Sequence, residues 1–201
     1  MSTTKFEGSP RERLLAAANE LFYEEGVHTV GIDRVIERAG VAKASLYSTF
    51  GSKDELVRAY LSARSTKRQA RLLERIETFE EPRDKILAIY DLLGELFAEP
   101  TFRGCAFFRA SADAPEGGKI RTVCHDYRSW LTDLLTQLAS EAGAADPAQL
   151  GRQLLLLHDG ATMGAAMDGD AGRAELARKL AEGLLNARTS APKARGARRK
   201  R

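Results

Sequence analysis

The stretch from Arg38 to Lys53 carries the cations Arg38, Lys43 and Lys53 and no carboxylate in sixteen positions. Small and polar side chains (Ala44, Ser45, Ser48, Thr49) fill the spaces between them. Residues of these types suit contact with a polyanion: ammonium groups for phosphates, and short side chains that let a helix lie close to base edges. Lys43 and Ser45 fall in the first turn of a short helix, where free backbone N–H groups also point outward. The other residues with chemical potential assemble less well. Cys124-His125-Asp126 and His158-Asp159 contain catalytic residue types, but neighbours on a helix point about 100° apart and cannot form a nucleophile–base–orienter chain. No glycine-rich phosphate loop or paired-histidine metal spacing occurs, so neither enzyme, cofactor nor metal site is expected. Cys105 and Cys124 have no metal-type spacing. Arg121 and Arg128 lie one turn either side of Cys124, and Cys105 falls near a helix start, settings that can make a thiol reactive.

The elements that must hold these residues all read as helices. Ser9-Pro10-Arg11-Glu12 is a capping box, and Leu14, Ala18, Leu21 and Phe22 keep one helical face as far as Gly26. Short helices follow at about 32–39 and 42–48, separated by Gly40 and closed by Gly51. A capping box at Ser52–Glu55 opens a long helix reaching toward Phe79, apolar at both ends and polar from Ser62 to Arg71. That pattern predicts a connector between two domains, solvated in its middle. A fifth helix runs from Pro82 to Pro100, a short sixth starts near Gly104, and a seventh spans about 116–142. Asp146-Pro147-Ala148-Gln149 caps an eighth that continues to Met167, and a ninth covers about 171–188 with Leu176, Leu180 and Leu184 on one face. The predicted fold is all-α with about nine helices.

A supporting helix followed by two short helices across a tight glycine turn is a helix-turn-helix, over about 32–51. A plain helical bundle with Lys43 and Lys53 as solvated surface would give the same periodicity. The particular residues decide further. Ala39-Gly40-Val41, Lys43, Leu46-Tyr47, Phe50, Ser52-Lys53 and Leu56 follow the pattern AGV-x-K-x-x-LY-x-x-F-x-SK-x-x-L. In this the chain resembles the DNA-binding domain of the TetR (tetracycline-repressor-like) family of bacterial regulators, over about residues 10–60. The resemblance implies that Tyr47 and Lys53 contact phosphates and that Lys43, Ala44, Ser45, Ser48 and Thr49 face the groove. Gly31 and Arg34 complete the expected DNA-binding set. Val30, Ile36, Ser48 and Thr49 depart from the commonest family residues, which leaves the operator sequence open. The implied organisation is a DNA-binding domain at 1–60, an effector-binding and dimerisation domain at 61–189, and a disordered basic tail at 190–201. The implied activity is regulation of transcription, more often repression, by a homodimer on a palindromic double-stranded operator, with release by a small-molecule effector.

Composition fits this reading. Of 201 residues 43% are hydrophobic and 29% charged, too apolar for a disordered chain. The longest aliphatic run, Leu154 to Leu157, is far too short to span a bilayer, and the N-terminus lacks the apolar stretch of a secretion signal. A cytoplasmic protein with no membrane partner is expected. The net charge of +3 is distributed as −1 over 1–60, +4 over 61–75, −6 over 76–189 and +6 over 190–201. The −6 block predicts a neutral or cationic, largely apolar effector. Its pocket is expected among the fourth, fifth and seventh helices, lined by Tyr90, Phe97, Phe102, Phe107, Phe108, Tyr127 and Trp130. The eighth helix, apolar nearly all round, predicts burial on more than one side. Leu157, Gly160, Ala161 and Gly164, with Leu176, Leu180 and Leu184, are the candidate dimer interface. Two other functions remain open at this level: a thiol-based sensor of oxidants or electrophiles on the same scaffold, and a nonspecific DNA-binding protein.

Overall fold

A computed structural model describes residues 6–112 and 114–189. The proposed basic tail at 190–201 lies outside the described residues. Among the described residues every regular element is a helix: α1 (Pro10–Glu25), α2 (Ile32–Ala39), α3 (Lys43–Phe50), α4 (Lys53–Glu77), α5 (Pro82–Phe97), α6 (Ala106–Ser111), α7 (Lys119–Glu141), α8 (Pro147–Asp168) and α9 (Arg173–Thr189).

The local signals act as read. The Ser9 hydroxyl accepts from the Glu12 backbone N–H while the Glu12 carboxylate accepts from the Ser9 N–H, satisfying two otherwise unpaired donors at the start of α1. Ser52 caps α4 through the Glu55 N–H, and Asp146 caps α8 through the Gln149 N–H. Gly40 ends α2 in the left-handed region (φ 62°, ψ 44°), where a side chain would cost energy, and so turns the chain tightly into α3.

Two cores share α4. The first gathers α1, α2, α3 and the start of α4 around Leu14, Leu46, Leu56 and Tyr60, and continues through Phe107 of α6 into Ile120, Cys124 and Tyr127 of α7. The second gathers Leu72 and Ile76 of α4 with α5, the rest of α7, α8 and α9. The hydrophobic interior therefore does not divide at residue 60: α6 and the first half of α7 pack as one body with the N-terminal helices. The middle of α4 is solvated on one side only, at Ala63, Thr66, Lys67 and Ala70. Arg64 lays its guanidinium 3.5 Å from the centroid of the Tyr23 ring, and Arg68 sits 6.0 Å from that of Phe107. Aromatic faces contributed by α1 and α6 give these arginines an inward partner that spacing along α4 could not reveal. Arg71 and Arg75, farther along, pair with Glu95 and Glu99 of α5.

α8 and α9 bury only one side each. Leu150, Leu154, Leu155, His158, Ala161 and Ala165 of α8 face the chain's own interior. On α9 the inward stripe is Ala174, Ala177, Ala181 and Leu185, while Leu176 and Leu180 are half exposed. The prediction that α8 is enclosed on more than one side is thus not met within one chain.

Candidate nucleic-acid interface and effector cavity

α3 presents its outer face to solvent because Leu46 alone of its residues is fully buried, with Val41 and Phe50 packed partly against the core at either end. Lys43, Ala44, Tyr47 and Ser48 are exposed and Ser45 and Thr49 half-buried. Ala42 occupies the cap position and offers no side-chain acceptor, so the first N–H groups of α3 stay available to an external anion. The cations of this face are held in place by nearby carboxylates. Lys43 Nζ lies 2.9 Å from Asp33 Oδ1, which raises the ammonium pKa chiefly through that hydrogen bond. Arg34 pairs with Glu25. Arg38 makes a two-point contact with Glu20 (2.9 and 2.7 Å) and lies over the Phe6 ring. Lys43 and Asp33 are both largely exposed, and such pairs are worth about 0–1 kcal/mol, so a phosphate can take over Lys43. Arg38, clamped and half-buried, instead ties α2 to α1.

One contact here has no signature in the sequence pattern. Arg13 of α1 donates to the Gly40 carbonyl and so supports the turn between α2 and α3 from behind. Its partner is set by the fold, 27 residues away.

A cavity of about 690 Å³ opens between the α5–α6 loop, α6, α7 and α8. Its apolar wall is Phe107, Phe108, Tyr127, Leu131, Leu155 and Met163. Phe107 and Tyr127 stack at 4.1 Å with an interplanar angle of 13°. Its charged groups are Arg103, Arg109, Arg121 and Arg128 against the single carboxylate of Asp159, with His125 and His158 alongside. Arg128 and His158 both contact Asp159. Arg109 donates to the Tyr23 carbonyl at the end of α1, where a cation also meets the negative end of the helix dipole. Arg103 donates to the Pro100 and Phe102 carbonyls, and Tyr23 links its hydroxyl to the Arg103 N–H and the Gly104 carbonyl. The cavity rim is thus hydrogen-bonded directly to α1.

The region matched by the family model "Bacterial regulatory proteins, tetR family" is residues 14–60, the helices that carry this exposed face. The activator FasR of Mycolicibacterium smegmatis is 49% identical over 51 residues, which are 25% of this chain and 23% of FasR. The repressor NemR of Escherichia coli is 32% identical over 109 residues, 53% of this chain and 55% of NemR. The matches therefore span about half or less of the length of these two curated relatives. A TetR-family transcriptional regulator from Streptomyces coelicolor, whose crystal structure is known, extends the similarity to the whole molecule. It is 32% identical with a TM-score of 0.85, over 90% of this chain and 96% of that one. The chain belongs to the TetR family of transcriptional regulators. The sequence-level identification of that family, of an all-α fold and of a DNA-binding regulator is borne out.

As a TetR-family protein, the chain keeps its expected DNA-facing residues together. Gly31 at the α2 cap, Arg34, Lys43, Ala44, Ser45, Tyr47, Ser48 and Thr49 lie on α2 and α3, and Lys53 stands at the first position of α4. The effector residues are gathered only in part. Phe107, Phe108 and Tyr127 line the cavity; Tyr90, Phe97, Phe102 and Trp130 do not. Tyr90 is fully buried and donates to the Leu154 carbonyl at 2.8 Å, while Phe97 and Phe102 pack on each other at 4.9 Å within the second core. α5 packs against α4, α7, α8 and α9. The cavity therefore belongs to α6, α7 and α8 rather than to α4, α5 and α7. Within residues 76–189 the acidic excess is not concentrated at the cavity, where four arginines face Asp159. Carboxylates such as Glu95, Glu99, Asp91 and Glu182 are spent on arginines elsewhere, so the basis for a neutral or cationic effector is removed.

Two further expectations change. Burial pushes the Cys124 thiol up to about 11, and its Sγ points at the Phe107 carbonyl, 3.3 Å away; Arg121 opposes this only weakly. Proximity in sequence to two arginines does not lower its pKa. Ala161 is buried in the chain's own core, and Leu157 and Leu184 pack partly against it, so of the dimer candidates Gly160, Leu176 and Leu180 point outward. Gly164 is half-buried beside Arg173. Leu156, Met163 and Met167 extend the exposed stripe of α8, and nothing lies within 4 Å of a side chain built on Gly160 or Gly183. No described helix is long and apolar enough to cross a membrane.

Proposed function

We propose that two copies of this chain bind a palindromic operator as a homodimer, each placing α3 in a major groove, and act as a repressor released by a small effector. The observation that carries this reading is the exposed, uncapped and acid-free face of α3, between the phosphate-seeking groups Lys43, Tyr47 and Lys53. Gly31, Arg34, Ala44, Ser45, Ser48 and Thr49 complete the contact set. One such helix reads too few bases for useful specificity, and pairing supplies the second half-site about 34–36 Å away or a multiple of it. The dimer surface is the adjoining exposed stripes of α8 (Leu156, Gly160, Met167) and α9 (Leu176, Leu180, Gly183), whose two glycines allow close helix approach, with Gly160 and Met163 at the border between this surface and the cavity.

The effector occupies the cavity of α6, α7 and α8. Because α6 and the start of α7 share a core with α1–α4, a ligand that rearranges Phe107, Phe108 or Tyr127 shifts the body that carries α3. Release then follows only if the ligand binds the DNA-free arrangement more tightly than the DNA-bound one. Selection from random duplexes, followed by gel-shift competition, tests the reading. A palindromic consensus and strong preference over scrambled DNA are expected. Equal affinity for both would establish a nonspecific binder instead.

One observation favours thiol-based sensing on the same scaffold: Cys105 and Cys124 line the same cavity. Under that reading an oxidant or electrophile releases the wild type from DNA and leaves a Cys105→Ser, Cys124→Ser variant bound. An unchanged response in that variant rejects it.

A further inference from the structure

The cavity of α6, α7 and α8 has an unbalanced charge that its apolar walls do not explain. Among the described residues Arg128 has the closest carboxylate of the four arginines, Asp159 at 2.5 Å. Arg103 and Arg109 meet backbone carbonyls, which hold their geometry without cancelling their charge. Arg121 has the loosest contacts: Glu116, 3.5 Å away and 94% exposed, and the Ser111 carbonyl, also at 3.5 Å. Its guanidinium therefore faces the cavity with most of its donors free for a ligand.

A second, separate observation lies behind the wall. Arg68 of α4 packs against Tyr127, Phe107 and Cys105, all of them cavity residues, and its Nη2 is buried with no hydrogen-bond partner among the described residues. The groups that favour its charge are Tyr127, which also hydrogen-bonds it, then Cys105 and Tyr23; none is a carboxylate. Burial raises the Tyr127 hydroxyl above its usual pKa, so that ring is neutral near pH 7 and offers no countercharge. Leaving a buried guanidinium nitrogen without a partner is costly. An organic anion in the adjoining cavity places a favourable charge beside this arginine; a neutral ligand does not, and a cation opposes it.

We propose that this cavity is built for an amphipathic organic anion, a carboxylate on an aromatic or aliphatic body. The body lies between Phe107, Phe108, Leu131, Leu155 and Met163, and the carboxylate is received by Arg121, with the field of Arg68 behind the Phe107–Tyr127 stack. This rests on the reading of the cavity as the effector site. Since Arg68 stands on α4, the helix that begins with Lys53 just after α3, the anion's charge is coupled through the Phe107–Tyr127 stack to the helix next to the DNA-binding face.

Three probes of one shape separate the possibilities: 2-naphthoate, 2-naphthamide and 2-naphthylmethylammonium, titrated into the full chain by calorimetry. The carboxylate is expected to bind at least about tenfold tighter than the amide, as a charge-assisted contact is stronger than a neutral one. The ammonium is expected to bind weakest. Arg121→Gln should bring the carboxylate down to the affinity of the amide and leave the amide unchanged; circular dichroism confirms that the variant is folded. Tightest binding by the amide or the ammonium, a carboxylate preference that survives Arg121→Gln, or no binding by any probe overturns the proposal. Operator release is scored separately by anisotropy. A carboxylate that binds through Arg121 but leaves the DNA complex intact overturns the release reading and sustains the site. Release by the amide with no anion preference does the reverse.

Discussion

The DNA-facing surface and the effector cavity are both rich in cations, and they handle them in opposite ways. On α2 and α3 each of Arg34, Arg38 and Lys43 has a carboxylate at hand: Glu25, Glu20 and Asp33. Around the cavity, Arg68, Arg103 and Arg109 meet rings, hydroxyls and carbonyls instead. Exposed ion pairs exchange readily, so the outer face keeps its cations solvated and positioned until phosphates replace the carboxylates. Inside, among the described residues, Arg128 has Asp159 and Arg121 only a loose contact with Glu116, so arginines outnumber carboxylates where a ligand would lie. The molecule's mild net charge of +3 conceals this difference, which depends on where carboxylates sit and not on how many there are.

The comparison breaks most visibly at Lys53. Glutamate at this first position of α4 suits the helix dipole, so Lys53→Glu should leave folding stability unchanged or slightly higher. Operator affinity should nonetheless fall about a hundredfold near physiological salt, with a shallower dependence on salt, as a phosphate contact becomes a repulsion. Affinity within a few-fold of the wild type would remove Lys53 from the interface.

The two thiols sharpen the cavity side. With Cys124 raised to about 11, its thiolate is scarce near neutral pH, and iodoacetamide at pH 8 should label Cys105 at least about tenfold faster. Mass spectrometry of the labelled peptides reads this directly, and equal rates would contradict the burial argument. The same shift sets the sign of a pH effect. A folded-state pKa above the unfolded one contributes stability that is full below the ordinary thiol range and is lost as pH rises toward 11. A Cys124→Ala variant should lose less stability over that interval.

Asp33→Asn probes the exchange itself. Freed from its intramolecular partner, Lys43 should bind operator about threefold tighter at low salt, with the gain shrinking as salt rises. Weaker binding would mean that Asp33 positions Lys43 rather than competing for it. The smallest effect is expected at Arg68. Replacing a buried guanidinium that keeps one nitrogen unpartnered by an apolar side chain of similar length, Arg68→Met, should leave unfolding stability unchanged or raise it by about 1 kcal/mol. A clear loss in denaturant titration would show that its contacts with Phe107 and Tyr127 outweigh the buried charge.

What the sequence revealed follows how local each determinant is. The Ser9–Glu12 box, the Asp146–Gln149 cap and the Gly40 turn act within four residues, and each appears where the spacing put it. The exposed face of α3 was readable because a single buried residue, Leu46, fixes its orientation. Long-range partners were not readable. Arg64 and Arg68 turn inward toward rings supplied from residues 23 and 107, against the expectation of a solvated middle for α4. On α9 the leucine periodicity marked one face, but the inward contact is made by alanines with Leu185, which leaves Leu176 and Leu180 outside and Leu184 only partly packed. The cavity depends on how the loop after α5 returns over α7 and α8, which no periodicity encodes.

The most direct test is the ratio of dissociation constants for a selected palindrome and a scrambled duplex of equal composition, at fixed salt, for the wild type and Ala44→Asp. Ala44 is exposed at the second position of α3, so the variant should fold normally while setting a carboxylate against the groove. A wild-type ratio of about a thousand or more, falling close to one in the variant, is the result the account predicts. A wild-type ratio near one, or a preference that survives Ala44→Asp undiminished, would contradict it.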